Sequence, residues 1–99
     1  MQTFGWALKQ MQNGARVARS GWNGKGMWIA MTPSSVIEKR DARAGAARLL
    51  AQEPPTGLPG SGEIRIGAHI DMKAADGSLV IGWLASQTDM QATDWDVVL

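Results

Sequence analysis

The N-terminal segment places its apolar side chains at the spacing of an amphipathic helix. These positions fall at i, i+3, i+4 and i+7, at Phe4, Ala7, Leu8 and Met11. Residues at that spacing share one face of a helix. Thr3 is the predicted N-cap, because a threonine hydroxyl accepts a hydrogen bond from the first helical turn. Asn13-Gly14 predicts the end of the helix, because both residue types adopt the left-handed conformation that stops one.

The spacing then changes to the alternation of β-strands. Residues 15–22 predict a short strand with Val17 directed inward, and residues 27–32 predict a second strand with Ile29 on its apolar face. Between them lies "NGKG" at residues 23–26, in which Asn-Gly is a strong signal for a tight turn. We therefore expect two strands joined by this glycine-containing segment.

The middle of the chain differs in composition from both ends. Residues 36–52 are rich in Ala and Arg and predict a helix, which Gly45 weakens. Residues 53–62 are rich in Pro and Gly and predict a linker or a mobile loop, with the greatest disorder of the chain. We interpret residues 33–62 as a variable insertion in a single domain that spans residues 1–99. Its arginines lie either on a solvated face or on an arm that reaches a partner.

Strand patterns return after this insertion. Ile70 and Met72 alternate with more polar positions, which are His69, Asp71 and Lys73. Such alternation predicts a half-buried strand. Asp76-Gly77 predicts a hairpin turn. Residues 78–84 are nearly continuously apolar and predict a central strand covered on both faces.

The C-terminal segment predicts a short helix and a last strand. Ser86 and Asp89 fit the S-x-x-D spacing of a capping box, which predicts a helix over residues 87–92. Trp95, Val97 and Leu99 would share one face of the final strand. The elements together predict an α+β domain, with a small antiparallel sheet, an N-terminal helix and a short C-terminal helix.

Composition narrows the class of protein. The 99 residues suffice for one domain, and the absence of cysteine excludes a disulfide framework and fits a reducing compartment. A formal net charge of +1 argues against a protein built to bind nucleic acid. No apolar run approaches the roughly 18 residues of a membrane span, and the N-terminus lacks the pattern of a signal peptide. We expect a soluble cytoplasmic protein with no membrane or nucleic-acid partner.

The tryptophan content is unusual for so short a chain. Five tryptophans accompany one phenylalanine and no tyrosine. A small core cannot hide five indole rings completely, and each buried indole N–H needs a hydrogen-bond partner. We expect some of these rings at a subunit interface or in the wall of a pocket.

The sequence gives no support for catalysis. Neither the nucleophile motif G-x-S-x-G nor the phosphate loop G-x-x-x-x-G-K-[ST] is present. His69 and Asp71 would point to the same strand face and so form an acid–base pair. Three further carboxylates surround a helix cap and an end strand, where they are more often structural than metal-binding: Asp89, Asp94 and Asp96. We predict no enzyme activity, no metal site and no cofactor.

Binding of a flat, charged ligand is better supported. The backbone N–H groups near Gly24 and Gly26, and the N-terminus of the helix after Ser86, are candidate cradles for phosphate. Lys25 and Arg19 would add positive charge, and an indole face stacks on a nucleobase for about 1–3 kcal/mol. The candidate hydrogen-bonding side chains are Asn23, Gln87 and Thr88. A structural alternative stays open, in which the glycines serve a turn, the tryptophans a dimer core and Ser86 a cap.

Two ordered motifs give the chain a resemblance to a known family. "GWNGKGM" near the start and "WLASQTDM" followed by "DW" near the end resemble small phage and prophage proteins, the Thoeris anti-defence proteins of the second type. The resemblance covers residues 3–32 and 69–98. It implies a protein that binds the cyclic ADP-ribose signal of a defence system, glycocyclic ADP-ribose, and holds it without cleaving it in the cytoplasm of the infected host.

The resemblance also implies an assembly and a site. Relatives form homotetramers with pockets between protomers, and some take up cyclic oligonucleotides at a separate site. The two motifs then supply the ligand-binding residues, which are Trp22, Asn23, Gly24, Lys25, Gly26, Met27, Trp83, Ser86, Gln87, Thr88, Asp89 and Trp95. We assign stacking to Trp22 or Trp83, a phosphate contact to Lys25, and hydrogen bonds to the polar side chains.

Two other functions are alternatives to this interpretation. A tryptophan-rich face would suit a phage protein that binds a host protein and no small ligand. His69 and Asp71 would suit a hydrolase of cyclic nucleotides. Ligand-dependent thermal stabilisation separates the first from a small-molecule binder, and recovery of intact ligand excludes the second.

Overall fold

The structure, a computed structural model, describes residues 2–54, 57–58 and 61–99. The chain divides into two units, one formed by Met1–Thr32 with His69–Leu99 and the other by Pro33–Ala68. The second unit contains the whole predicted insertion at residues 33–62. The description of residues 1–99 as a single domain stays a prediction.

The elements of the described residues follow one another in this order along the chain: α1 (Phe4–Gln12), β1 (Arg16–Arg19), β2 (Trp28–Thr32), β3 (Ser35–Glu38), a 3-10 turn (Lys39–Asp41), α2 (Gly45–Ala51), β4 (Glu63–Ile66), β5 (His69–Lys73), β6 (Leu79–Ile81), α3 (Gln87–Gln91) and β7 (Trp95–Val98). Five strands form an antiparallel sheet in the order β6-β5-β2-β1-β7, and β3 pairs with β4 in a separate two-stranded sheet. The predicted α+β class, with its two terminal helices, is confirmed.

Helix α1 begins and ends where the sequence predicts. The Thr3 hydroxyl accepts a hydrogen bond from the backbone N–H of Trp6 at 3.2 Å, as an N-cap does. At the other end Gly14 takes a φ of +91°, a conformation that only glycine adopts without strain. Ala7 and Met11 are buried, so the apolar stripe faces the sheet.

The core lies between α1 and one face of the five-stranded sheet. Val17 on β1 stands opposite both Ile29 on β2 and Val97 on β7. The buried cluster comprises Ala7, Met11, Val17, Ile29 and Trp95. Close packing of these residues holds the ends of β1 and β7 in fixed positions, and the candidate site starts from those ends.

The helix predicted for residues 36–52 is correct only in its second half. Val36 and Ile37 lie on β3, which pairs with β4 in antiparallel register. These β-branched residues favour a strand, and tertiary pairing outweighs the helix propensity of the neighbouring Ala and Arg. Helix α2 starts only at Gly45, which has a φ of +66°.

The structure describes only part of the loop predicted at residues 53–62. Its described residues, 53–54, 57–58 and 61–62, carry no helix or strand. Residues 55–56 and 59–60 of this prediction, and the expected mobility there, lie outside the described residues. The second unit buries Ala42 and Ile64.

The predicted central strand at residues 78–84 is wrong. Only Leu79–Ile81 forms a strand, and this strand, β6, lies at the edge of the sheet. All three of its residues are exposed, by 57%, 47% and 62% in chain order. The next residue, Gly82, has a φ of +82° and ends the strand. A continuous apolar run indicates that the residues favour burial, but one copy of the chain leaves them uncovered.

The described part of the chain contains no helix long and apolar enough to cross a membrane. It also contains no group of His, Asp and Glu side chains arranged to hold a metal ion.

Candidate functional site

The two motifs that the sequence assigns to one site meet at Trp22. This residue lies in the segment between β1 and β2, and its indole N–H donates to Asp89 Oδ1 on α3 at 3.1 Å. Its ring also contacts that of Trp83 edge-on, with centroids 6.3 Å apart. The structure therefore brings together residues that are more than sixty positions apart in the sequence.

Four aromatic rings form a cluster behind this contact. Phe4, Trp22, Trp83 and Trp95 have neighbouring ring centroids 5.2–6.4 Å apart in tilted or edge-on arrangements. These are the geometries that aromatic quadrupoles favour. Trp95 is completely buried, while Trp22 and Trp83 are half-buried. Two of the three tryptophans assigned to the site thus keep exposed ring surface, and the third serves the core.

Arg19 fixes the chain next to Trp22. Its Nη1 atom lies 2.8 Å from Asp89 Oδ1, and its Nε lies 2.8 Å from Asp94 Oδ1. Asp94 also accepts from the backbone N–H of Gly21 at 2.7 Å. The sequence analysis offered Arg19 as a source of positive charge for a ligand, but its side chain is 13% exposed and is already engaged by two carboxylates. Arg19, Asp89 and Asp94 are referred to below as the arginine clamp.

Asp89 is the centre of the clamp. Burial alone would raise the pKa of this carboxyl, but hydrogen bonds from Arg19, Trp22 and Ser86 outweigh burial and lower the pKa to about 2. The carboxylate is therefore ionised across the physiological pH range. It accepts hydrogen bonds from three different segments and so holds the two motifs together.

The N-terminus of α3 is already satisfied within the chain. Ser86 N–H donates to Asp89 Oδ2 at 3.2 Å, and Asp89 N–H donates to Ser86 Oγ at 3.0 Å. This reciprocal pair is the capping box that the sequence predicts. The carboxylate of Asp89 stands where the sequence analysis placed a phosphate, and like charges repel. This helix end therefore does not favour an anion.

The glycines of the segment between β1 and β2 have internal roles. A Cβ atom on Gly24 would lie 2.9 Å from the Cβ of Ala75 and would also strike the Met27 side chain. Gly26 has a φ of +72°, and its carbonyl accepts from Lys73 Nζ at 3.2 Å. Close packing and one lysine contact thus hold this segment against the β5–β6 hairpin.

The remaining predicted residues present polar groups to solvent. Asn23 and Lys25 are exposed in the segment before β2, and Gln87 and Thr88 are exposed on α3. The Gln87 side-chain oxygen accepts from Gln91 at 3.4 Å. Lys73 supplies a second positive charge beside Gly26, a contribution that the alternation pattern of β5 did not reveal.

Comparison with known proteins adds a family to this geometry. The chain matches the family model described as Tad2-like, Thoeris anti-defense 2-like domain, over residues 2–98. The protein belongs to this family. It is also 35% identical over 96 residues to a protein of Bacillus phage SP01 named "Thoeris anti-defense 2", an alignment that covers 97% of this chain and 93% of that protein. The matched range runs through both units, including residues 33–62.

A groove of about 310 Å³ runs along β1 and β7 in this family member and is lined in part by residues of the arginine clamp. Its polar lining includes Arg19, Asp94 and Asp96, and Trp95 is the one residue of the predicted site that borders it. Arg19 is neutralised by its two carboxylates, so the groove offers a diphosphate mainly negative charge. It is therefore not a good match for the ligand that the resemblance implies.

Asp71 is a buried charged residue on β5. Asp71 is 4% exposed and accepts hydrogen bonds from the Thr32 hydroxyl and from Gly82 N–H at 3.0 Å. His69 Nδ1 lies 2.7 Å from the same carboxylate, so the predicted His–Asp pair does form. Burial would raise the pKa of Asp71, but the hydrogen bonds from Thr32, Gly82 and His69 leave it lowered. This carboxylate joins β2, β5 and the end of β6.

Proposed function

We propose that this protein is a phage anti-defence protein that acts against Thoeris by binding a cyclic ADP-ribose-type signal, glycocyclic ADP-ribose, and sequestering it without cleavage in the host cytoplasm. Family membership supports the anti-defence role. The ligand class follows from the resemblance described above and from the chemistry of the surface around Trp22. The ligand carries an adenine, two phosphates and ribose hydroxyls, and each of these groups has a candidate partner there.

The observation that carries the proposal is the position of Trp22. Its N–H is bonded to Asp89, so the ring is held in one orientation while part of its surface stays exposed. Exposed Lys25 and Asn23 follow it directly in the chain, and Trp83 lies against its edge. A ring that is already oriented loses little conformational entropy when a base stacks on it. Stacking on Trp22 with Lys25 on a phosphate is the binding mode that we propose.

Retention without hydrolysis is consistent with the state of the nearest carboxyl group. A general acid or base works best when its pKa lies near the operating pH. Asp89 has a pKa of about 2 and is bonded to Arg19 and Trp22. It is therefore a poor proton donor or acceptor for a ligand at Trp22.

Mass action sets the affinity that a sponge needs. A micromolar dissociation constant corresponds to about −8 kcal/mol and a nanomolar one to about −12 kcal/mol. Asn23 and Lys25 beside Trp22 are exposed in one copy of the chain, and an exposed contact leaves phosphates solvated. A site closed by a second copy, within the homotetramer that the resemblance implies, would exclude water and strengthen the charged contacts.

The direct test is a calorimetric titration of the purified protein with glycocyclic ADP-ribose. We expect saturable binding with a submicromolar dissociation constant. Linear ADP-ribose serves as the control ligand, because it carries the same chemical groups without the ring closure. Absence of heat with the cyclic ligand, at protein concentrations well above micromolar, would contradict the proposal. Cyclic oligonucleotides would then be the next ligands to titrate.

One observation favours a second candidate function, a protein-interaction module. Leu79, Val80 and Ile81 expose apolar surface at the edge of the sheet, and such surface is typical of interaction sites. A protein-interaction module would show no rise in melting temperature with the nucleotide, whereas a small-molecule binder must show one.

A further inference from the structure

The two edges of the five-stranded sheet are protected to different degrees. On β7, the outward N–H of Trp95 donates to the Gln2 carbonyl at 3.1 Å, and Val97 N–H donates to the side chain of Asp96 at 2.8 Å. Charges and chain cover of this kind keep an edge strand from pairing with another molecule. The β7 edge is therefore closed to a further strand.

Among the described residues, none protects the β6 edge in this way. Its residues, with the following Leu84, are apolar and exposed: Leu79 by 57%, Val80 by 47%, Ile81 by 62% and Leu84 by 89%. We call these four residues the apolar edge. Residues 79–84 contain neither a charge nor a proline, although these are the usual devices that block edge pairing. The sequence predicted that this run is covered on both faces, and one copy of the chain does not cover it.

We infer that β6 pairs antiparallel with β6 of a second copy of this chain, across a two-fold axis at Val80. This inference rests on the self-association within the proposed function. It assigns the surface through which two copies of the chain meet. In this register Val80 faces its own counterpart, and Leu79 of each copy faces Ile81 of the other. A two-fold interface of this kind uses the same patch twice, so its two halves are complementary by construction.

The faces of the strand agree with this register. Leu79 lies opposite Lys73 and Ile81 opposite Asp71 on β5, so Leu79 and Ile81 share one face of the sheet. Val80 lies opposite Met72 on the face that packs against α1. Directly opposed side chains on neighbouring antiparallel strands approach to about 5 Å, so the branched apolar groups would contact each other on both faces.

The size of the patch argues for one partner strand rather than an open stack. The four side chains of the apolar edge are each about half exposed or more, and contiguous apolar patches of this kind on soluble proteins are often functional. A standard interface buries about 800 Å² per partner, so residues that flank the apolar edge contribute to the buried area as well. Gly82 ends β6 after three residues, and the protected β7 edge prevents growth from the other side.

The test measures the mass of the full chain by analytical ultracentrifugation over a range of concentrations. The first variant is Leu79→Glu, which the isolated fold tolerates because Lys73 lies opposite this position on β5. In the assembly the new carboxylate faces Ile81 of the other copy and loses its hydration. We expect the mass to fall by half, and the matched control Leu49→Glu, at a leucine 67% exposed on α2, to keep the wild-type mass.

A charge-pair rescue tests the register itself. Ile81→Lys alone should also halve the mass, but an equimolar mixture with Leu79→Glu should restore it. In the mixed pair one contact is Glu with Lys and the other is the original Leu with Ile. Recovery of the wild-type mass in the mixture supports pairing at Val80. Failure of the mixture to recover overturns this register.

Two outcomes separate this inference from the proposed function. A wild-type protein that is monomeric at all concentrations, or a Leu79→Glu variant with wild-type mass, overturns the β6 pairing even if the protein binds glycocyclic ADP-ribose. An assembly that Leu79→Glu halves and the mixture restores supports the pairing even if the calorimetric titration detects no ligand.

Discussion

Asp89 connects more parts of the candidate site than any other side chain described above. Its carboxylate accepts from Arg19, Trp22 and the backbone of Ser86, and its own carbonyl accepts from the indole N–H of Trp95 at 3.0 Å. A buried carboxylate with this many donors is stabilising only while all of them stay in place. At the scale of single residues, the orientation of Trp22 therefore depends on Asp89.

Replacement of Asp89 by Asn should lower the free energy of unfolding by about 2 kcal/mol, because Arg19 loses one of its two charged partners in a largely buried setting. Urea unfolding at pH 7 measures this change. Asp41→Asn, at an exposed position of the second unit, serves as the matched control and should alter stability little. If Asp89→Asn were as stable as wild type, the arginine clamp would not stabilise the fold.

The Asp89 carboxyl group should make the free energy of unfolding depend on pH in the acid range. Its pKa is about 2 in the folded chain against an ordinary value of 3.8, so the folded state binds the proton more weakly than the unfolded state. The contribution, about 2 kcal/mol, is complete above pH 3.8 and is lost as the pH falls towards 2. Unfolding free energies of wild type and Asp89→Asn, measured from pH 6 to pH 2, should converge at the acid end. Parallel curves would contradict the assignment.

Replacement of Lys25 should weaken ligand binding without affecting folding. The side chain is exposed in the segment before β2, so Lys25→Ala should leave the melting temperature unchanged. Loss of one charge-assisted phosphate contact, roughly 1.5–3 kcal/mol, should raise the dissociation constant about 10- to 100-fold. Lys9→Ala, on the exposed side of α1, is the matched control. Equal weakening by both variants would indicate a general charge effect rather than a site.

At the scale of elements, the segment between β1 and β2 is held by packing. In the sequence, the glycines of this segment indicate a ligand site, because glycine lets a backbone approach a ligand closely. The structure gives Gly24 a second reason, which is the contact with Ala75 and Met27. The segment is therefore a fixed support for Trp22 and Lys25.

Gly24→Ala should destabilise the fold by about 1–3 kcal/mol, since the added methyl group has no room beside Ala75. Gly67→Ala is the matched control, because a Cβ atom there meets open space. Thermal unfolding of the two variants measures the difference. A Gly24→Ala variant as stable as Gly67→Ala would mean that this segment adapts, and its support of Trp22 would then be in doubt.

Elements whose signals are local in sequence were predicted well. Thr3 and Ser86 could be recognised as the N-caps of helices α1 and α3 because each capping hydroxyl and its N–H partner are only three residues apart. The edge position of β6 was missed because apolar composition predicts burial without naming what covers the strand. Asp71 was missed because the groups that bury and bind it, Thr32 and Gly82, are 39 and 11 positions away.

The candidate site was predictable in part for the same reason. Trp22 and the motif around Trp83 were assigned together through the family resemblance, and no local pattern predicts their contact. The internal use of Ser86 and Asp89 follows from a capping box that was already visible in the sequence. The clamp on Arg19 was not predictable, because its carboxylates lie 70 and 75 positions further along the chain.

At the level of the whole molecule, two surfaces of one copy are candidates for contact with other molecules. One is the exposed surface around Trp22, where we propose that glycocyclic ADP-ribose binds. The other is the apolar edge, which one copy of the chain leaves uncovered. Self-association would cover the second surface and so explain how a short chain tolerates five tryptophans and an apolar edge strand.

Sequestration without cleavage is tested most directly by recovery of the ligand after binding. The protein is saturated with glycocyclic ADP-ribose, separated from free ligand by filtration, heated to unfold the chain, and the released nucleotide is identified by chromatography. The account predicts that the ligand stays with the protein through filtration and is released chemically intact in stoichiometric amount. A linear or otherwise altered product would make the protein an enzyme and direct attention to His69 and Asp71, and a filtered protein that carries no nucleotide would contradict sequestration altogether.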